Sequence, residues 1–329
     1  MKKTTFITII AALLLLVSCN VDSEHGIYYQ VATSQPSSGI NIIQSMGCYE
    51  FDNVFYHLFL SDNGICYTTS TRGDTKYVEE TKDKSIRGAY FVLSENPSTD
   101  PSTIYFINSE GKVYTFSGGD IEVFDEDINK GLTSNGYLYN NSTVCRLPNI
   151  TSEAGISLST TPLANKEALL VMDGTTKADI FSSGVSTHQT ITGFSANANG
   201  FVVEKSASNY FIFSEKSVYE VSTSASATEL GDALVSGLEA APTGGYKAVH
   251  YYDTNAYTNY LLVRTSTGFT KINVDEKKIE EKNVQFLSTL NDVVVIDMYE
   301  VDGKIAIVTY ANGIRIADMV NKTLSEDIL

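Results

Sequence analysis

Seven times along this chain an apolar run breaks at a short polar turn and resumes as a second apolar run. Val54–Leu60 turns at Ser61–Gly64 into Ile65–Tyr67, and Ile104–Ile107 turns at Asn108–Gly111 into Val113–Phe116. Gly136–Tyr139 turns at Asn140–Asn141 into Val144–Leu147, and Ala168–Met172 turns at Asp173–Gly174 toward Ala178–Phe181. Tyr210–Phe213 turns at Ser214–Lys216 into Val218–Val221, and Tyr260–Val263 turns at Ser266–Gly268 into Phe269–Ile272. Ile305–Val308 turns at Ala311–Gly313 into Ile314–Ile316. Asn-Gly and Asp-Gly between apolar runs are strong β-hairpin signals. A chain built this way must bury ribbon against ribbon.

The first strand of each hairpin is almost continuously apolar, as expected when both faces are covered. The second often alternates, as in Phe269-Thr-Lys-Ile272. Turn-to-turn spacings run from about 31 to 51 residues and average near the 40–50 residues of a four-stranded blade. The pairing of Gly303–Val308 with Gly313–Asp318 resembles blades of bacterial β-propeller lipoproteins. That resemblance implies an all-β fold, a single propeller of seven blades over residues 26–329, or eight if Ile27–Val31 opens another or closes the ring. The chain has no Trp, which departs from WD-type and quinoprotein-type blades, and it lacks the sialidase Asp-box. Two stacked β-sandwiches are the architectural alternative.

Composition agrees: Tyr is 20, Phe 15 and Pro only 6, and aromatic and β-branched richness with polar turns favours strands. The best helix candidate is Thr228–Ala240, where Leu230, Leu234 and Leu238 recur every four residues, weakened by Gly231 and Gly237. Thr151–Thr161, Ser182–Gly200 and Ser222–Thr228 read as loops or outer edge strands. No linker divides the series.

At the N-terminus, Lys2 and Lys3 precede an apolar run from Phe6 to Val17. It is shorter than the roughly 20 residues of a spanning helix and reads as a signal h-region. Leu16-Val17-Ser18-Cys19 resembles the lipobox of bacterial lipoproteins. The resemblance implies removal of residues 1–18, lipidation of Cys19, and a tether over 19–25. Seven extended residues reach at most about 25 Å. Asn20, not Asp, follows the Cys, so the expected address is the cell envelope, at the outer membrane. Without Lys2 and Lys3, the chain sets 21 Lys and Arg against 39 Asp and Glu, a formal charge of −18. Such a surface does not seek nucleic acid.

Three cysteines remain besides Cys19. Cys48 and Cys66 are predicted two strand spacings apart, about 9.6 Å, beyond the roughly 7 Å that a bridge allows; with Cys145 they are expected as buried free thiols. His25, His57, His188 and His250 show no metal-ligand spacing, and His57 reads as a satisfied core or interface residue. Asp125-Glu-Asp127-Ile-Asn129 begins like a calcium loop, but Lys130 and Gly136 stand where Gly and Glu are needed. With Asp120 and Glu122, it reads as a charged edge strand. No nucleophile elbow, phosphate loop, cofactor motif or metal site is found. The candidate binding patch is Tyr246, Tyr251, Tyr252 and Tyr257, with Tyr260, around His250 and Asp253. The expected function is a non-enzymatic binding or scaffold module facing an envelope protein or glycan. The alternative is a carbohydrate- or peptide-active enzyme with two or more acids converging in the central funnel.

Overall fold

The computed structural model describes residues 40–329, apart from 52, 70–74, 96–101, 155–157, 183–187, 205, 207, 225–226, 327 and 329. Cys19, His25 and Ile27–Val31 lie outside the described residues. The fold is a seven-bladed β-propeller: seven sheets, each built on a four-stranded antiparallel meander taken from one stretch of chain. All seven hairpins read from the sequence are the second and third strands of successive blades.

At six of the seven junctions, all but that between blades three and four, the first strands of neighbouring blades touch one another, and these strands form the inner ring. They are Ile42–Phe51, Ile86–Val92, Gly131–Leu132, Leu163–Asn165, Ala198–Val203, Lys247–Asp253 and Val295–Val301. We call the face where these strands begin the upper face. By the meander, it carries the second-to-third-strand turns and the connections between blades. The lower face carries the other turns.

Second strands are apolar on both sides because each serves two interfaces. Leu169 and Val171 pack with Tyr137 and Val144 of blade three. Ala168, Leu170 and Met172, alternating with them, pack with Phe201, Val203 and Ile212 of blade five. A period of two sends alternate side chains to opposite faces. The described core divides into seven such clusters, one between each pair of neighbours. Each fully buried Leu, Val or Phe contributes roughly 1.5–3 kcal/mol.

Among the described residues, the ring closes between blades seven and one without exchanging a strand. Ile40, Ile42, Phe59 and Cys66 pack against Val301, Ala306, Val308, Ile314 and Ile328. The Ile42 amide donates to the Tyr310 carbonyl at 2.7 Å, and the Thr68 hydroxyl donates to the Ile328 carbonyl at 3.2 Å.

Three expectations are corrected. Thr228–Ala240 is not a helix. Ala227–Glu229 lies parallel to His188–Thr192 as a fifth strand on blade four, and Val235–Ser236 then returns to edge blade five. Leu230 packs between blades four and five, whereas Leu234 and Leu238 pack between five and six. Their four-residue period reflects two destinations, and Gly237 at φ +82° breaks any helix between them. The third strand of blade six is more buried than its alternation implied, with Thr270 and Asn273 almost covered. Cys48 and Cys66 do lie on the first and third strands of one blade. The thiols of Cys48, Cys66 and Cys145 are free. Cys48 is half-buried, not buried. Burial pushes all three up to about 11, so they are protonated and poorly nucleophilic at neutral pH.

Candidate functional site

The structure does not bring the four candidate tyrosines together. Tyr246 is buried between blades five and six, its hydroxyl donating to the Glu239 and Glu215 carbonyls at 2.7 and 3.1 Å. Tyr251 is buried between blades six and seven, stacked on Tyr260 with centroids 5.5 Å apart. Tyr252 and Tyr257 alone are exposed, at the lower-face turn of blade six. His250 is buried and stacked on Phe211. Strand alternation separates tyrosines that are adjacent in sequence.

Asp120–Asp125 is the outer strand of blade two. The Asp125 carboxylate accepts from the Asp127 amide and from Asn129 Nδ2, which closes the turn into blade three. Among the described residues, no group of three or more His, Cys, Asp or Glu is gathered so as to hold a metal ion.

A polar cluster of which sequence reasoning found only His57 sits at the closing seam, on inner strands and on the second strand of blade one. Asp297 of blade seven is half-buried by surface area but densely surrounded. Burial raises its carboxyl from 3.8 to about 6, countered by Lys247 of blade six, the Met298 amide and the Ser45 hydroxyl of blade one. The groups acting on Asp297 are thus a cation and hydrogen-bond donors, the surroundings of a held acid. Beside it, Tyr299 Oη and His57 Nδ1 lie 2.7 Å apart, joining blade seven to blade one. Burial lowers His57 from 6.5 to about 4 and lifts the Tyr299 phenol well above its ordinary range. Both are neutral at neutral pH, so this is an uncharged bond between blades.

A cavity of about 450 Å³ opens between blades three and four on the upper face, lined by Lys130, Tyr139, Leu158, Ser159, Thr160 and Thr161. Its origin is the shortness of two inner strands: two residues in blade three and three in blade four, against six to ten elsewhere. The ring is notched there. Gly131, paired with Tyr139, leaves room for the phenol to lie across the inner strand, where a Cβ would collide with it. The Lys130 amide donates to the Tyr139 carbonyl at 2.8 Å. The Ser159 hydroxyl is anchored to the Met172 carbonyl at 3.0 Å.

Three large apolar side chains are exposed on the same face at the closing seam: Ile43, Val294 and Tyr310. The backbones carrying them are tied side by side. Besides the Ile42–Tyr310 bond, the Tyr310 amide donates to the Val294 carbonyl at 2.9 Å.

The class these features define is the β-propeller. No family model matches the chain, and no curated protein matches it. Among solved structures it is similar to Hsv2 from Kluyveromyces marxianus, at 9% identity and a TM-score of 0.51, over 88% of this chain and 99% of that one. It is similar also to Kluyveromyces lactis Hsv2, at 8% identity and 0.51, over 87% and 96%. The WD40 β-propeller domain of Doa1 matches at 11% identity and 0.46, over 74% and 82%. At such identities the likeness is one of fold.

Proposed function

We propose that the protein is a lipid-anchored envelope lipoprotein whose propeller is a non-enzymatic binding module for a protein partner. The observation that carries the binding half is the exposed trio Ile43, Val294 and Tyr310, held on hydrogen-bonded backbones. Contiguous exposed apolar surface marks interaction sites, and aromatic side chains are favoured anchors there. The anchor half rests on the lipobox resemblance at Cys19. Stable mooring takes two acyl chains or an equivalent second signal.

The alternative, an enzyme with carboxylates in the funnel, asks for two acids acting on each other. Asp297 is instead met by Lys247 and Ser45, which favours a positional role.

Two substitutions in the full-length protein separate the halves. Cys19→Ser is expected to move the protein from the membrane fraction to the soluble fraction; retention overturns the anchor. Tyr310→Asp is expected to leave membrane association unchanged while removing the proteins cross-linked to wild type in intact envelopes. An identical cross-linked set from Tyr310→Asp overturns the binding face.

A further inference from the structure

We propose that the notch between blades three and four is a binding site for an acidic monosaccharide, a sugar ring carrying one carboxylate. This goes beyond the partner-binding reading and does not use the Ile43–Val294–Tyr310 face. The cavity, at about 450 Å³, falls within the roughly 300–1,000 Å³ of small-molecule sites. It arises from two truncated inner strands rather than from packing failure, and its floor is pinned by backbone hydrogen bonds from Lys130 and Ser159. Such a site is largely formed before a ligand arrives.

The lining chooses the ligand class. Among the described residues its one charged side chain is Lys130, in a protein of formal charge −16. A lone ammonium in an acidic molecule selects a single compact anion over a polyanion, which the surrounding field repels. A carboxylate meets that ammonium as a charge-assisted hydrogen bond. Thr160 and Thr161 present hydroxyls able to donate and accept, and the Ser159 hydroxyl, its hydrogen held by the Met172 carbonyl, can accept, which matches the hydroxyls of a sugar. Tyr139 and Leu158 supply apolar surface for the C–H face of a pyranose. Burial keeps the Tyr139 phenol above its ordinary range, hence neutral, so it adds no charge against the anion.

The test is calorimetric titration of the full-length protein in detergent with D-glucuronate, D-glucose and acetate. Glucuronate is expected to bind at least tenfold more tightly than either of the others. Lys130→Gln is expected to abolish the preference over glucose, and Thr161→Val to weaken glucuronate several-fold. Lys130 and Thr161 are exposed, so both variants should melt with wild type, and Tyr257→Ala on the lower face should bind as wild type does. Equal binding of glucose and glucuronate, no binding of glucuronate at millimolar concentration, or unchanged affinity in Lys130→Gln overturns the site. Any of these leaves the Tyr310→Asp cross-linking result untouched, so the two readings fail separately.

Discussion

Two titrating residues at the seam act on stability with opposite signs. The Asp297 carboxyl is raised in the fold from 3.8 to about 6. Its contribution is present in full below pH 4 and is lost as pH rises through 6. His57 is lowered from 6.5 to about 4. Its contribution is present above pH 6.5 and is lost as pH falls toward 4. A tenfold change in proton affinity corresponds to about 1.4 kcal/mol, so each residue is worth on the order of 3 kcal/mol, and across pH 4–6.5 the two offset one another. Asp297→Asn should therefore gain stability relative to wild type as pH rises from 4 to 6.5, by about 1–3 kcal/mol. His57→Gln should gain relative to wild type in the reverse direction. Urea unfolding at pH 4.5, 5.5 and 7 reads both slopes, and curves parallel to wild type would refute the pairing. Little of this site was legible in the sequence. Ser45, Lys247 and Asp297 come from three blades, and no local pattern links them. His57 was legible as an interface residue because an imidazole inside an apolar strand must find a partner. The tyrosine patch misled because nearness in sequence says nothing of which side of a strand each ring takes.

The hairpins were legible because turn chemistry and two-sided burial leave local marks. Three of the outer strands were not: Lys76–Tyr77, Val235–Ser236 and Thr323–Leu324 are two residues each, too short for any period to show, whereas Asp120–Asp125 was legible as a charged edge. The crossing strand Ala227–Glu229 was hidden for another reason, since its partner belongs to the preceding blade. Inner strands approach closely enough to exclude a methyl group. A Cβ at Gly88 of blade two would lie 2.5 Å from the Leu132 carbonyl of blade three, although the φ of Gly88 is not in the left-handed region. Gly88→Ala is expected to cost about 1–3 kcal/mol through overpacking. Gly231→Ala, where nothing lies within 4 Å, should be neutral or slightly stabilising. Thermal unfolding of the two variants separates close approach from backbone freedom, and equal melting temperatures would exclude a tight inner ring.

At the scale of the whole molecule, seven turn signals foretold seven blades, but the manner of closure was not readable. Among the described residues, side-chain packing, not a shared strand, joins blade seven to blade one. Ile328 is buried there, its amide bonded to the Ile314 carbonyl at 3.1 Å and its own carbonyl to Thr68. Ile328→Ala should cost about 2–4 kcal/mol in urea unfolding, and a wild-type midpoint would show that closure does not use this contact.

The strand Ala227–Glu229 gives the ring one indivisible pair. Every other blade is a self-contained stretch of polypeptide, so its order could be rotated, opening the gene between any two blades and rejoining the old ends across the seam. A cut between blades four and five would set the crossing segment on the far side of the break from the sheet it completes. The molecule is thus modular in six units: five single blades and one inseparable double.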